Sequence, residues 1–377
     1  MPLFAEEIDF PNGRPRFINA RPQRAACYNH DARLGRRSMT KRTLSSQRAQ
    51  NAVGGTHPAR CGLPRRPLTG LSRMGTVVLL CALTAGCSIR KMAVNKVGNV
   101  LASGGTVFAS DEDPELVKAA VPFSLKLMES LLAESPRHKG LLFATASGFT
   151  QYAFAFVQQD ADEAEEKDLA AATAMRARAK RLYLRARNYG LRGLEVAHPN
   201  FEKTLRQDAK AAVRCATSAD VPLLYWTAAS WGAAISLSKD DPQLIAEVPQ
   251  LEALIDRALE LNERWNEGAI HGFLVTYEMA RQGLKGDATE RSRQHFQRAL
   301  ELSGGKQAAP LVSFAEAVCV QKQDLKQFES LLTQALAVDA DAHPEYRLVN
   351  LVMQRRARWL LSKKEDLFLI PDKSANK

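Results

Sequence analysis

The sequence has 377 residues, a formal net charge of +11, and hydrophobic and charged fractions of 45% and 25%, which are typical of a soluble globular protein. The net charge alone would suggest nucleic acid or an anionic membrane as partner. However, residues 1–86 contain 14 Lys and Arg against 4 Asp and Glu, which leaves 38 basic and 37 acidic residues from Cys87 onwards. The chain after Cys87 is therefore nearly neutral, and we predict no nucleic-acid partner.

Residues 1–70 are rich in Arg, Pro, Gly and Ser and have no sustained apolar period, which predicts a disordered leader. Such a leader is either a genuine tail or the product of a start codon assigned too far upstream. We favour the second interpretation, because the following segment has the features of the start of an exported protein.

Residues 71–86 have the layout of a bacterial signal peptide: Arg73 precedes an apolar run at 76–83, which is followed by small residues. The string LTAGC (83–87) resembles a lipobox, in which the cysteine thiol takes a diacylglycerol. We therefore predict that the chain is cut before Cys87, which carries a covalent lipid, and we predict no cofactor. The alternative is a short buried helix with an incidental cysteine.

The predicted export signal also predicts where in the cell the protein is located. We predict a lipidated tether at 87–110 and a periplasmic protein whose lipid is its membrane anchor. Ser88 rather than Asp follows the cysteine, which favours the inner leaflet of the outer membrane. No stretch from Ser88 onwards approaches the ~20 apolar residues of a membrane-spanning helix. Only Cys215 and Cys319 then remain as thiols, and we favour unpaired cysteines over a disulfide.

Apolar residues recur at helical spacing over 111–362, and alternating β-branched runs are missing, which predicts one all-α domain followed by a C-terminal tail at 363–377. Asp113 and Asp241, each before a proline, and Asp287 predict N-caps. We assign the acidic run 160–168 and the basic run 176–187 to the third helix, as solvated faces with local ion pairs. Helices are predicted at 113–134, 138–158, 164–197, 201–215, 222–238, 248–262, 266–283, 288–303, 308–321, 325–338 and 344–362.

Three helices end in similar strings: LIDRALEL (254–261), HFQRALEL (295–302) and LLTQALAV (331–338). Their small residues, Ala258, Ala299 and Ala335, are 41 and 36 residues apart, near the ~34-residue tetratricopeptide period. A small residue at this position lets the next helix approach closely. We predict tetratricopeptide-like helix pairs that form a single α-α superhelical domain, although chance similarity of Ala- and Leu-rich helices is the alternative.

The common catalytic and nucleotide-binding motifs are missing, and the histidines and cysteines lack metal-ligand spacing, so we predict neither an enzyme nor a metal site. Aromatic side chains are the better candidates for a function. They could line an apolar cleft, pack against neighbouring subunits, or simply fill the core. His271 is interpreted as a core or interface residue. The candidate cleft or interface residues are Phe149, Tyr152, Phe156, Tyr225, Trp226, Trp231, Trp265 and His271.

The order of several strings resembles that of the TatT family, the T components of tripartite ATP-independent periplasmic (TRAP) transporters. The strings run through nearly all of the chain after Cys87, and their order carries the resemblance. They are ESLLAESP (129–136), FTQYAFAFV (149–157), RNYGLRGL (187–194), YWTAASWG (225–232), GAIH (268–271) and NLVMQRRA (350–357).

The resemblance implies a periplasmic lipoprotein of tetratricopeptide-like helix pairs that can form a homotrimer. It also implies docking to a substrate-binding P component and a cleft suited to hydrophobic ligands. We therefore predict a non-enzymatic transport accessory. The alternative is a tetratricopeptide-type envelope scaffold or outer-membrane assembly lipoprotein, and a hydrolase with a triad formed between repeats ranks third.

Overall fold

The computed structural model describes residues 95–100 and 105–369, and every regular element within these two stretches is helical. The predicted all-α fold class is confirmed, whereas the tetratricopeptide-like repeat arrangement stays a prediction. The predicted leader, the signal peptide and Cys87 lie outside the described residues. The long helices are α1 Pro114–Glu134, α2 Lys139–Ala164, α3 Leu169–Ala197, α4 Val221–Ser236, α5 Val248–Leu261, α6 Ala269–Tyr277, α7 Ala288–Ser303, α8 (Ala309–Phe314, π-helical Ala315–Cys319 and Val320–Lys322), α9 Leu325–Leu336 and α10 Arg347–Ser362.

Short elements connect the long helices. Residues 95–100 are helical and lie within the predicted tether. The others are the short helices Gly105–Ala109, Phe201–Gln207, Ala209–Val213, Pro242–Ile245 and Lys364–Leu367, and the 3-10 turns Ser218–Asp220, Trp265–Gly268 and Pro344–Tyr346.

The predicted N-caps are confirmed. The Oδ1 atom of Asp113 accepts hydrogen bonds of 3.0 Å from the backbone N–H groups of Glu115 and Leu116. Asp241 and Asp287 cap Pro242–Ile245 and α7 in the same way. These side chains satisfy N–H groups that have no acceptor within the first helical turn, so each helix begins where its aspartate stands.

The predicted boundary between the second and third helices is wrong. The second helix continues to Ala164, and α3 begins only after Asp168, whose side chain accepts a 2.8 Å hydrogen bond from the backbone N–H of Ala171. The acidic run 160–168 therefore belongs to the end of α2 and the following turn rather than to the third helix. Three of its carboxylates, those of Asp160, Asp162 and Glu163, pair with arginines of α10, which is distant in sequence.

Two other predicted helices are shorter than expected. The predicted helix 201–215 is broken at Asp208, which ends Phe201–Gln207 and caps Ala209–Val213 through the backbone N–H of Ala211. The predicted helix 266–283 is confined to α6, and the buried Glu278 just beyond it binds Arg281 and, in α7, Arg291. In both regions the helix ends at an acidic residue whose side chain binds a group outside that helix.

Glycines allow α3 to approach α4 closely. A Cβ atom added at Gly190 would lie 2.1 Å from Oγ1 and 3.3 Å from Cα of Thr227. One added at Gly193 would lie 2.7 Å from a methyl group of Leu223. The two helices therefore pack nearly backbone to backbone, and this contact places the long α3 against the largely buried α4.

The most buried long helix is α2. By length and composition it could cross a membrane, but 89% of its most apolar window is buried within the protein, and a buried core helix passes the same test. A π-helical turn at Ala153–Gln158 interrupts it. Such a turn inserts one extra residue into the helix and rotates everything beyond it relative to the first half.

The last long helix, α10, is held against α2 and against the turn that precedes α1. The Arg347 guanidinium donates to the Ser110 carbonyl oxygen (2.9 Å), and Arg355 lies 2.9 Å from Asp160 and 2.7 Å from Glu163. The buried Arg356 binds Asp162 at 2.8 Å and also binds Glu316 of the second π-helical turn. The acidic run therefore binds the C-terminal helix, so the prediction of a solvated face is wrong there, whereas the predicted local ion pairs are present between Arg176 and the carboxylates of Asp162 and Glu165.

Candidate functional site

The predicted aromatic residues of α2 are buried beneath neighbouring helices. Phe149, Tyr152 and Phe156 are at most 7% exposed. The Phe149 ring stacks on Tyr189 of α3 with centroids 6.2 Å apart and planes 3° apart, and the Tyr152 and Phe156 centroids are 5.9 Å apart. These rings attach α2 to α3 and lie under the basic surface of α3.

A second aromatic group forms around Tyr225 of α4. Its ring centroid is 5.0 Å from that of Trp226 in an edge-on arrangement and 4.8 Å from that of Trp265. Trp231 lies on the same helix, where its indole N–H donates to Glu247 (2.9 Å). All four rings are at most 9% exposed. The structure thus brings the predicted aromatics together in two groups, one where α2 meets α3 and one around α4.

The turn beside Trp265 has an unusual backbone. Asn266, Glu267 and Gly268 have φ values of 46°, 47° and 89°, and this left-handed conformation disfavours residues with a Cβ atom. The Nζ atom of Lys306 lies 3.3 Å from the Glu267 carboxylate and holds the turn from the neighbouring loop. The backbone strain at Asn266 and Glu267 therefore lies directly beside the contact between Trp265 and Tyr225.

His271, early in α6, forms a pair with His295 of α7. Their Nδ1 atoms are 2.8 Å apart, so one ring must donate and the other accept. The Nε2 atom of His271 is 3.3 Å from the Glu263 carboxylate. A neutral His271 that donates from Nε2 to Glu263 therefore accepts at Nδ1 the proton of His295. Arg298 and the pair Glu278–Arg281 complete the charged surroundings.

This histidine pair predicts a dependence of stability on acid. Burial lowers the pKa of His271, and burial together with the neighbouring His271 lowers the pKa of His295 to about 4. Between pH ~4 and ~6.5 the unfolded chain therefore binds more protons than the folded chain, so folding stability falls as the pH falls through this window. We expect wild type to lose roughly 1 kcal/mol more than His295→Asn between pH 7 and 5.

Urea unfolding at the two pH values measures this difference. His343→Asn is the matched control, because the His343 side chain is 40% exposed and lies in an inter-helix turn. It should retain the wild-type pH dependence. Equal pH dependence of wild type and His295→Asn would exclude a role of the histidine pair in acid sensitivity.

A shallow depression of about 400 Å³ lies between the end of α7 and the end of α9. Gly304, Lys306, Val338 and His343 are among its lining residues, and none of the predicted site residues lines it. Among the residues that the structure describes, no group of three His, Cys, Asp or Glu side chains is arranged to hold a metal ion.

Comparison with known proteins identifies the family. A model of the family described as "TRAP transporter T-component" (TAtT) matches residues 110–368. The chain belongs to the TRAP transporter T-component family. A protein of Treponema pallidum (strain Nichols), described as uncharacterized, is 30% identical over 308 residues, which cover 77% of this chain and 95% of that protein.

Membership in the T-component family implies a role as an accessory component of a TRAP transporter and a location in the cell envelope. The family is not a known class of enzyme. The match covers every long helix, so the two aromatic groups and the histidine pair all belong to the T-component domain.

Sequence reasoning missed two features of this T component. The first is the binding of α10 to the acidic run, whose partners are more than 190 residues apart in sequence. The second is the division of the basic run of α3 into two faces. A signal for the second was present, because Arg178, Arg181, Arg185 and Arg192 recur at intervals of three, four and seven residues, which places them on one side of a helix.

Proposed function

We propose that this chain is a non-enzymatic, lipid-anchored T component that docks the substrate-binding P component of its transporter in the periplasm. The family match over 110–368 carries the proposal, and the lipobox at 83–87 supports anchoring through Cys87. Anchored at the inner leaflet of the outer membrane, the domain would face the compartment in which solute-binding proteins diffuse. The lipid would be its only membrane attachment.

We further propose that the protein forms a homotrimer and holds an apolar ligand beside the Tyr225 group. Tyrosine and tryptophan rings offer a large apolar surface with a polar edge, which suits ligands that are mostly hydrophobic. Because Tyr225, Trp226 and Trp265 are at most 9% exposed, a ligand would reach them only when α4 separates from the strained turn at Trp265–Gly268.

Crosslinked pull-down from native membranes tests the docking role. The full chain would carry a C-terminal affinity tag, and a tagged lipoprotein of unrelated fold would serve as the control bait. We expect mass spectrometry to identify a periplasmic solute-binding protein that is enriched with this chain and not with the control. Recovery of outer-membrane assembly proteins instead would favour the scaffold function and overturn the proposal.

A further inference from the structure

The long helix α3 carries basic side chains on two different faces. On the first face, each basic group meets a carboxylate of a neighbouring element. Arg176 lies 2.9 Å from Asp162, and the other two pairs are Lys180–Asp241 (3.2 Å) and Arg187–Glu247 (2.7 Å). The positive charges of this face are thus neutralised by ion pairs within the protein.

The second face of α3 points to solvent. Its arginines are all exposed and lie between positions 178 and 192, which are about 21 Å apart along the helix. Within the described stretches of chain, Arg178, Arg181 and Arg192 form no ion pair, and only Arg185 pairs with a carboxylate, that of Glu129. We call these four residues the arginine face: Arg178, Arg181, Arg185 and Arg192.

The acidic groups near the arginine face are already engaged. Glu129 of α1 is largely buried and also binds Lys126 (2.7 Å) and the Tyr189 hydroxyl (2.8 Å). Glu195, one helical turn beyond Arg192, accepts hydrogen bonds from the backbone N–H groups of Asn200 and Glu202. The face therefore keeps most of its positive charge for a partner outside the chain.

Aromatic rings lie beneath three of the four arginines. The guanidinium carbons of Arg178, Arg185 and Arg192 lie 5.7, 5.1 and 5.1 Å from the ring centres of Tyr152, Phe149 and Tyr189, respectively. One N–H group of Arg178 also donates to the Tyr152 hydroxyl (3.4 Å), and one of Arg192 donates to the Pro136 carbonyl oxygen (3.3 Å). These contacts restrict the arginines, and their remaining N–H groups stay available to a partner. Arginines and aromatics are also the residues that dominate the energy of protein interfaces.

These observations favour a protein partner over a lipid surface. A helix that binds in a membrane interface needs apolar side chains beside its cations. In the described part of the chain, Leu169 is the one exposed large hydrophobic residue of α3, and it lies nine residues before Arg178, at the start of the helix. Carboxylates can instead meet each guanidinium with two parallel hydrogen bonds.

We propose that the arginine face is the surface on which this protein docks an acidic patch of the substrate-binding P component. The proposal rests on the proposed function, because it assigns the surface that performs the docking. It also gives a role to two predicted site residues: Phe149 and Tyr152 act from below the surface, by holding the arginines that meet the partner.

Charge reversal of the arginine face tests the proposal. The full chain would be titrated calorimetrically with the solute-binding protein recovered in the pull-down, at 50 and 200 mM NaCl. We expect Arg181→Glu to raise the Kd about tenfold and Arg178→Glu/Arg181→Glu about a hundredfold, and we expect wild-type affinity to fall with salt. Arg214→Glu, an equivalent change of an exposed arginine elsewhere, should stay within about twofold of wild type.

The possible outcomes separate this inference from the proposed function. If wild type binds no solute-binding protein, both fail. If wild type binds and the double variant binds equally well, the proposed function stands and the arginine face is excluded. Phosphatidylglycerol vesicles supply the second arm: loss of vesicle binding in the double variant with unchanged Kd for the protein partner would assign the face to the membrane. Arg178 and Arg181 lack ion pairs within the described chain, so thermal unfolding should confirm that both variants fold.

Discussion

Cys87→Ser abolishes incorporation of radiolabelled palmitate and moves the protein from the membrane fraction to the periplasmic fraction; this is the largest effect that we expect of any single substitution. The thiol is the atom that takes the diacylglycerol, and a serine hydroxyl is a much weaker nucleophile. Each buried methylene contributes roughly 0.8 kcal/mol to membrane binding, so loss of the acyl chains removes the anchor. Among the described residues, α2 is the one helix long and apolar enough to cross a membrane, and it is buried within the protein.

Cys81→Ser is the matched control, because Cys81 lies six residues upstream within the apolar run of the predicted signal peptide. It should be labelled and cut like wild type. The mature N-terminus, determined by mass spectrometry, should be an acylated Cys87. Labelling that persists in Cys87→Ser, or a lipid found at Cys215, would show that the lipobox has been wrongly assigned.

The second large effect is expected at the contact between α3 and α4. Gly190→Val should destabilise the domain by about 3 kcal/mol or more, because the new side chain would occupy the space of the Thr227 hydroxyl and approach its Cα atom. That hydroxyl donates to the carbonyl oxygen of Leu223, so moving it also disturbs a buried hydrogen bond. The free energy of unfolding in urea, or the Tm, measures the loss.

The same substitution on the outside of α3 separates packing from helix propensity. Ala174 is exposed, and Ala174→Val should cost no more than about 0.7 kcal/mol. If Gly190→Val were as stable as Ala174→Val, the close approach of the two helices would not exist in solution. Insoluble Gly190→Val protein, with Gly190→Ala folded but less stable, would agree with the predicted overlap.

Local features of the fold followed directly from the sequence. The N-caps at Asp113, Asp241 and Asp287 were predicted correctly, because the capping oxygen and the N–H groups that it binds are two or three residues apart. The helix 288–303 was predicted to the residue, since a cap precedes it and Gly304 in a left-handed conformation ends it.

Features that depend on distant residues did not follow from the sequence. The acidic run was assigned to the wrong helix, because its partners Arg355 and Arg356 lie nearly 200 residues away and nothing in the local pattern indicates them. The burial of both faces of α2 was also hidden. The π-helical turn at Ala153–Gln158 changes the phase of the helix, so Phe149 and Phe156 cannot be assigned to faces by a constant period.

The candidate site likewise has some features that the sequence predicts and others that depend on the tertiary structure. Sequence alone identified the all-α class and the T-component family, and it predicts the export signal with Cys87, since each depends on adjacent residues or on the order of strings along the chain. Only the tertiary structure decided that the predicted aromatics form two buried groups, that His271 meets His295, and that Arg178, Arg181, Arg185 and Arg192 stay exposed. The physical reason is that helical periodicity shows which side chains share a face, whereas the packing of other helices decides whether that face meets protein or water.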